Sequence, residues 1–113
     1  MKNIFESLVE YYPQGFEWDP VKNVKNLEKH KVSFEAARLM FSNLVIISKD
    51  SRRDYGEDRF IAIGCLGSVV LSVAFTLRGH ETVRLISARK ANKYERHFYH
   101  EAIQKRSDPS FDR

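Results

Sequence analysis

From Leu44 to Lys90 the chain reads LVIISKDSRRDYGEDRFIAIGCLGSVVLSVAFTLRGHETVRLISARK. Four β-rich runs stand out in it: Leu44-Val45-Ile46-Ile47, Phe60-Ile61-Ala62-Ile63, Val69 through Thr76, and Val83 to Ser87. β-Branched and aromatic residues at this density suit a pleated, half-buried surface. The breaks between them are a charged stretch from Lys49 to Asp58 with Gly56, a Gly64 to Gly67 turn, and Arg78-Gly79-His80. Links this short predict antiparallel neighbours, because a parallel crossover needs about a dozen residues or more.

Upstream of this block the pattern is helical. Asp19 is a good N-cap and Pro20 is preorganised for the first helical position. Val21, Val24 and Leu27 then step along one side, expected to pack, with Lys22, Lys25, Asn26 and Lys29 on the other. A second helix is expected from Ser33, with Phe34, Ala37, Leu39, Met40 and Phe41 on its inner surface. Phe16-Glu17-Trp18 alternates as a brief strand does. Before it, Ile4, Phe5, Leu8, Val9 and Tyr12 recur at helical spacing until Pro13-Gln14-Gly15 supplies a stop. Downstream, a helix is expected from Ala91 with Tyr94, Phe98 and Ala102 in register, then a fraying polar tail.

The expected organisation is therefore a helical extension over 1–15, one domain over 16–106 and a flexible tail over 107–113. The fold class is α+β: an N-terminal strand and two helices, an antiparallel sheet of about four strands, and a closing helix. With 113 residues, 42% hydrophobic and 12% aromatic, the chain can build one core and is not a disordered tail. Its single cysteine, Cys65, excludes an internal disulfide and reads as a small buried hydrophobe. No apolar run approaches the roughly 20 residues that span a bilayer, and the start shows no signal-peptide pattern. The expectation is a cytoplasmic protein without a membrane partner.

The net charge of +4 is unevenly spread. Lys22, Lys25, Lys29 and Lys31 face Glu28 alone between Pro20 and Val32. Arg84, Arg89, Lys90, Lys93, Arg96, Lys105 and Arg106 outnumber Glu95 and Glu101 in the last third, whereas the Lys49 to Asp58 loop is acidic. Solvated helix faces would account for part of this. Arg59, Arg84 and Arg89 are different, because they lie at or inside predicted strands. A guanidinium there presents a planar fork that matches phosphate, and nucleic acid is the natural polyanion.

Several segments together resemble one family. Phe16-Glu17-Trp18-Asp19-Pro20, Lys22, Asn26, Lys29-His30, Val32-Ser33-Phe34-Glu35-Ala36-Ala37, Arg59-Phe60, Ile63-Gly64 and Arg84-Leu85-Ile86-Ser87-Ala88-Arg89-Lys90-Ala91, with Tyr94-Glu95-Arg96, are similar to the BrnT toxins. The resemblance runs from Phe16 to about Tyr99, and its densest blocks are W-D-P-x-K-x-x-x-N-x-x-K-H and R-x-I-S-A-R. It implies a RelE-like fold and a ribonuclease toxin of a type II toxin–antitoxin system that inhibits translation by cutting RNA. It also implies neutralisation by a BrnA-like ribbon-helix-helix antitoxin. The expected assembly is a heterotetramer that reaches operator DNA only through the antitoxin. The first 15 residues depart from the family pattern, and could alter antitoxin docking or cover a sheet edge.

Metal-free RNA cleavage needs the 2′-oxygen deprotonated, the leaving 5′-oxygen protonated and the charge at phosphorus stabilised. Arg59, Arg84 and Arg89 are the candidates for stabilisation, and His30 and Glu57 for proton transfer. Histidine titrates near neutrality. His30, at a helix C-terminus, suits the acid role or merely satisfies free carbonyls. Glu57 lies two residues before Arg59, so in extended chain the guanidinium could hold its carboxylate; it could equally be solvated. Lys22, Lys29 and Lys90 are candidate RNA contacts. His97 and His100 with Glu101 lack a third ligand at motif spacing, so no metal and no cofactor is expected. A noncatalytic basic module that binds an antitoxin or nucleic acid would carry the same charge, and cleavage alone separates the two.

Overall fold

The computed structural model describes residues 8–107. Its elements, in chain order, are strands β1 (Leu8–Val9) and β2 (Gly15–Glu17), helices α1 (Pro20–His30) and α2 (Phe34–Ala37), and a 3-10 turn over Arg38–Ser42. Strands β3 (Val45–Lys49), β4 (Phe60–Leu66), β5 (Val69–Arg78) and β6 (Thr82–Lys90) follow, and helix α3 (Lys93–Ser107) closes the chain. This is the α+β domain expected, with its sheet extended at both edges.

The strands form one six-stranded sheet in the order β1-β3-β4-β5-β6-β2. β3 to β6 are antiparallel neighbours, as the short links require. β2 is the exception to an antiparallel sheet: it runs parallel to β6, and everything between them in sequence serves as the crossover. The helix expected through Leu8, Val9 and Tyr12 is corrected. Leu8 and Val9 pair antiparallel with Ile46 and Val45, so backbone groups of the β3 edge are paired there instead of exposed. Ile4 and Phe5, which shared that expectation, lie outside the described residues.

Each face of the sheet buries a different core. On one, Val32, Phe34, Ala37, Met40 and Phe41 from the α2 region meet Val45, Ala62, Leu71, Val73, Phe75, Val83, Leu85 and Ala88. Gly64 permits the close approach: a Cβ there would meet Val45 Cγ1 at 2.8 Å and Met40 Sδ at 3.4 Å. On the other, α3 places Tyr99 and half-buried Phe98, Ala102 and Ile103 against Leu8, Ile46, Ile63 and Val70. The Tyr99 hydroxyl donates to the Leu44 carbonyl at 2.8 Å, and burial raises its pKa. Tyr94, expected inside with Phe98 and Ala102, is 79% exposed, because the buried face of α3 runs through Tyr99 instead.

α1 also departs from its pattern. Its N-terminus is as expected: Asp19 accepts from the Val21 N–H at 2.9 Å, with Pro20 in the first turn. Its apolar stripe, however, faces solvent, and Asn26 is the buried residue. The Asn26 carboxamide donates to the carbonyls of Val32 and Ala88, both at 2.8 Å, and accepts from the Ala88 N–H at 3.1 Å. β2 pairs with β6 only as far as Glu17 opposite Arg84, and Asn26 satisfies the β6 edge farther along, as another strand would. Hydrogen bonding, not the apolar stripe, sets the roll of the helix.

Candidate active site

The face covered at one end by α3 is open toward the other end, and the register defines what lies on it. Ser72 opposes Ile63 and Arg89, Ala74 opposes Ile61 and Ser87, and Thr76 opposes Arg84. Directly opposed residues share a face, so Arg84 and Arg89 lie on the same side of the sheet. Extending the β4 register by one residue brings Arg59 opposite Thr76, whose hydroxyl donates to the Asp58 carbonyl. Arg78, two residues beyond Thr76, joins the same face.

A bulge makes this possible. Phe75 opposes Leu85 while Ala74 opposes Ser87, which leaves Ile86 as the extra residue on β6. Without it Arg84 and Arg89, five positions apart, would point to opposite sides. Between the arginines the face carries Ser72, Ala74, Thr76 and Ser87, with Ile61 beside Ala74. The result is a trough with a floor of mostly small side chains and guanidinium walls.

Each of these arginines is tethered by a carboxylate. Arg84 donates to Glu17 at 2.7 Å, and Arg89 forks onto Glu95 at 2.8 and 2.9 Å. Glu57 receives Arg59 at 3.3 Å and Arg78 at 3.2 Å. The Arg59 guanidinium also lies 4.3 Å from the centroid of the Tyr55 ring. In the loop from Asp50 to Arg59, buried Asp50 accepts from Arg52 Nε and Nη2, both at 2.8 Å, and from the Tyr55 hydroxyl at 2.9 Å. Such pairs orient a guanidinium and leave part of its N–H fork for another anion.

The titration shifts follow from these contacts. Hydrogen bonds from Arg52, opposed by burial and reinforced by Tyr55, hold Asp50 down at about 2. Burial pushes Glu95 up, but the Arg89 fork and the Asn92 amide outweigh it, and the net shift is downward. Asn92 and Glu95 also exchange bonds as a capping box, at 2.8 and 2.9 Å, so one carboxylate both starts α3 and holds Arg89. Arg89 is raised, first by Glu95, with Arg52 opposing it, which puts the loop guanidinium within electrostatic reach of β6. Arg78 first, then Arg59, lower Glu57. That is the reverse of what a general base needs, and the geometry makes Glu57 a clamp on two arginines.

α1 borders the trough along β6. Lys22, Lys25, Asn26, Lys29 and His30 line a shallow cleft with Ile86 and Ser87, so His30 shares that cleft with a residue of the trough floor. Lys90 is exposed at the end of β6. Of the residues expected from sequence, Arg59, Arg84 and Arg89 share one face, and Lys22, Lys29 and His30 share its rim. The carboxylate tethers Glu17 and Glu95 went unread, as did Arg78, Arg52 and Tyr55. The alternation from Thr76 to Arg78 and the N-x-x-E spacing from Asn92 to Glu95 were the available signals.

Residues 18–95 match the family model described as "Ribonuclease toxin, BrnT, of type II toxin-antitoxin system". The chain belongs to the BrnT toxin family. The matched span runs from Trp18, at the head of α1, to Glu95, the clamp on Arg89, and so includes both walls of the trough. Among solved structures, the chain is similar to the Brucella abortus ribonuclease toxin BrnT, with 27% identity and a TM-score of 0.54. That similarity covers 70% of this chain and 97% of the Brucella chain. No curated protein sequence matches this chain. Membership in a type II toxin–antitoxin family implies an antitoxin partner. Among the described residues no helix is long and apolar enough to cross a membrane.

Proposed function

We propose that this BrnT-family chain is a metal-independent endoribonuclease whose active surface is the arginine trough beside α1. The observation that carries the reading is the convergence of Arg59, just before β4, Arg78, at the end of β5, and Arg84 and Arg89, both on β6, on one face of the sheet. In the reaction the RNA 2′-hydroxyl gives its proton to a water molecule and its oxygen attacks phosphorus as the bond to the 5′-oxygen breaks; the 5′-oxygen takes up a proton, leaving a 2′,3′-cyclic phosphate and a 5′-hydroxyl. Arg84 and Arg89 stabilise the negative charge on the phosphoryl oxygens, with Arg59 completing the wall. Their tethers supply orientation before substrate arrives.

His30 carries the proton, because it is the imidazole that borders the floor. An imidazole in that place can give a proton to the leaving oxygen. Lys22 and Lys29 hold flanking phosphates along the rim, and Lys90 extends this contact at the end of β6. The antitoxin is BrnA-like, and the complex represses its own operon through the antitoxin's ribbon-helix-helix region. The cellular reading is tested by expression in bacteria. Growth should arrest, co-expression of the cognate antitoxin should restore it, and unimpaired growth with folded toxin present would refute it.

A further inference from the structure

Tyr94, in the first turn of α3, is 79% exposed, more than any other large apolar side chain among the described residues. Among those residues no second ring and no guanidinium lies against it. The Tyr55 ring, by contrast, is taken: Arg59 lies 4.3 Å from its centroid, and its hydroxyl donates to Asp50.

The neighbours of Tyr94 fix where it sits. Glu95, next in sequence, forks onto Arg89 at 2.8 and 2.9 Å, so the start of α3 is pinned to one end of the trough. From there the helix crosses the sheet, and by Tyr99 it has reached the Leu44 carbonyl just before β3. The Tyr99 hydroxyl also reaches Cys65 near the end of β4, so that flank of α3 faces the sheet end remote from Arg59. Tyr94, five residues earlier, lies about 140° around the helix from Tyr99 and about 40° from half-buried Phe98. The inward line through Glu95 and Ala102 runs between the two flanks. Tyr94 therefore projects from the flank that borders the open face with Ser72 and Arg89.

The charges beside it indicate the ligand. Lys90 and Lys93 are both exposed, and neither is ion-paired among the described residues. An aromatic face between cations suits a single-stranded nucleic acid, whose backbone follows the cations while an unstacked base lies on the ring. A single ring among charged neighbours gives a protein partner no contiguous apolar patch to cover. We propose that Tyr94 is a base-stacking platform: a nucleotide next to the one held by Arg89 unstacks and lays its base on the phenol ring, with Lys90 and Lys93 on the adjoining phosphates. The inference rests on the reading of the trough as an RNA surface, but not on cleavage. It makes Tyr94 a positioning residue that restricts the substrate to single strands.

The test is fluorescence anisotropy of labelled single-stranded RNA carrying 2′-O-methyl groups, which block cleavage, with antitoxin-free full-length protein. Tyr94→Ala should weaken binding about 10-fold and Tyr94→Phe should stay within about 2-fold of wild type, because the ring is what stacks. The slope of log affinity against log salt should be the same in all three, since no charge is removed. An oligonucleotide of the same length with its bases removed should bind wild type and Tyr94→Ala equally. Wild-type affinity in Tyr94→Ala, with an unchanged circular dichroism spectrum, would overturn the inference. So would an equal alanine penalty on the abasic strand, a perfect duplex bound as tightly as the single strand, or a wild type that binds no RNA. Loss of antitoxin affinity with RNA affinity intact would assign the ring to a protein partner and overturn it as well. A wild type that binds through Tyr94 yet leaves unmethylated RNA intact would support the platform and count against catalysis.

Discussion

The side chain of Asn26 completes the hydrogen bonding of Ala88 on β6, donating to its carbonyl at 2.8 Å and accepting from its N–H at 3.1 Å. These two residues belong to the two densest motif blocks, W-D-P-x-K-x-x-x-N-x-x-K-H and R-x-I-S-A-R. One contact therefore joins the helix that carries Lys22, Lys29 and His30 to the strand that carries Arg84 and Arg89. Asn26→Ala would strand the Ala88 N–H and the carbonyls of Ala88 and Val32 in a buried setting. A cost of about 2–4 kcal/mol is expected, read as a lowered urea midpoint with little change in m-value. A stability loss below about 0.5 kcal/mol would mean that the bond does not anchor α1.

Asp50 should make stability depend on acid. Its folded pKa of about 2 lies below the ordinary aspartate value, so it favours the folded state above about pH 4 and loses that effect as pH falls toward 2. Asp50→Asn is expected to lose roughly 2 kcal/mol at neutral pH. The gap to wild type should narrow between about pH 5 and 3, measured by urea unfolding at each pH. A gap that stays constant over that range would show that the charge of Asp50 is not what Arg52 and Tyr55 recognise.

Lys22 and Lys29 should act on RNA through charge alone. Lys22→Gln and Lys29→Gln are each expected to weaken binding similarly for all sequences and to reduce the slope of log affinity against log salt by about 1. Fluorescence anisotropy with a labelled single-stranded RNA at several salt concentrations provides the reading. An unchanged slope would remove these lysines from the RNA path.

Much of this was legible in the sequence, and the misreadings have physical causes. Strands β3 to β6 announced themselves through β-branched runs and short polar links, and the Asp19-Pro20 and Ser33 caps marked both helix starts. Arg59, Arg84 and Arg89 were singled out because charge is unexpected inside strands. The sidedness of α1 was misread because periodicity assumes that apolar contact sets a helix's roll, and here Asn26 sets it through the unpaired β6 edge. Along α3, Phe98 and Ala102 pack inward as expected and Tyr94 does not, because the inner face runs through Tyr99, whose hydroxyl satisfies the Leu44 carbonyl. The Ile86 bulge, which brings Arg84 and Arg89 to one face, depends on pairing with β5 and leaves no mark in local sequence. The extra N-terminal residues cover the β3 edge through Leu8 and Val9, which two-residue pairing makes invisible to any periodicity.

The central claim is that the trough cleaves RNA with the protein's own cations, and one assay addresses it most directly. Antitoxin-free wild-type protein, Arg84→Ala and Arg89→Ala are incubated with single-stranded RNA in excess EDTA, each variant having first been shown to fold. The wild type should cleave, leaving 2′,3′-cyclic phosphate ends, and each variant should be slower by about 100-fold or more. Intact RNA with folded wild-type protein, or variants as active as wild type, would contradict it.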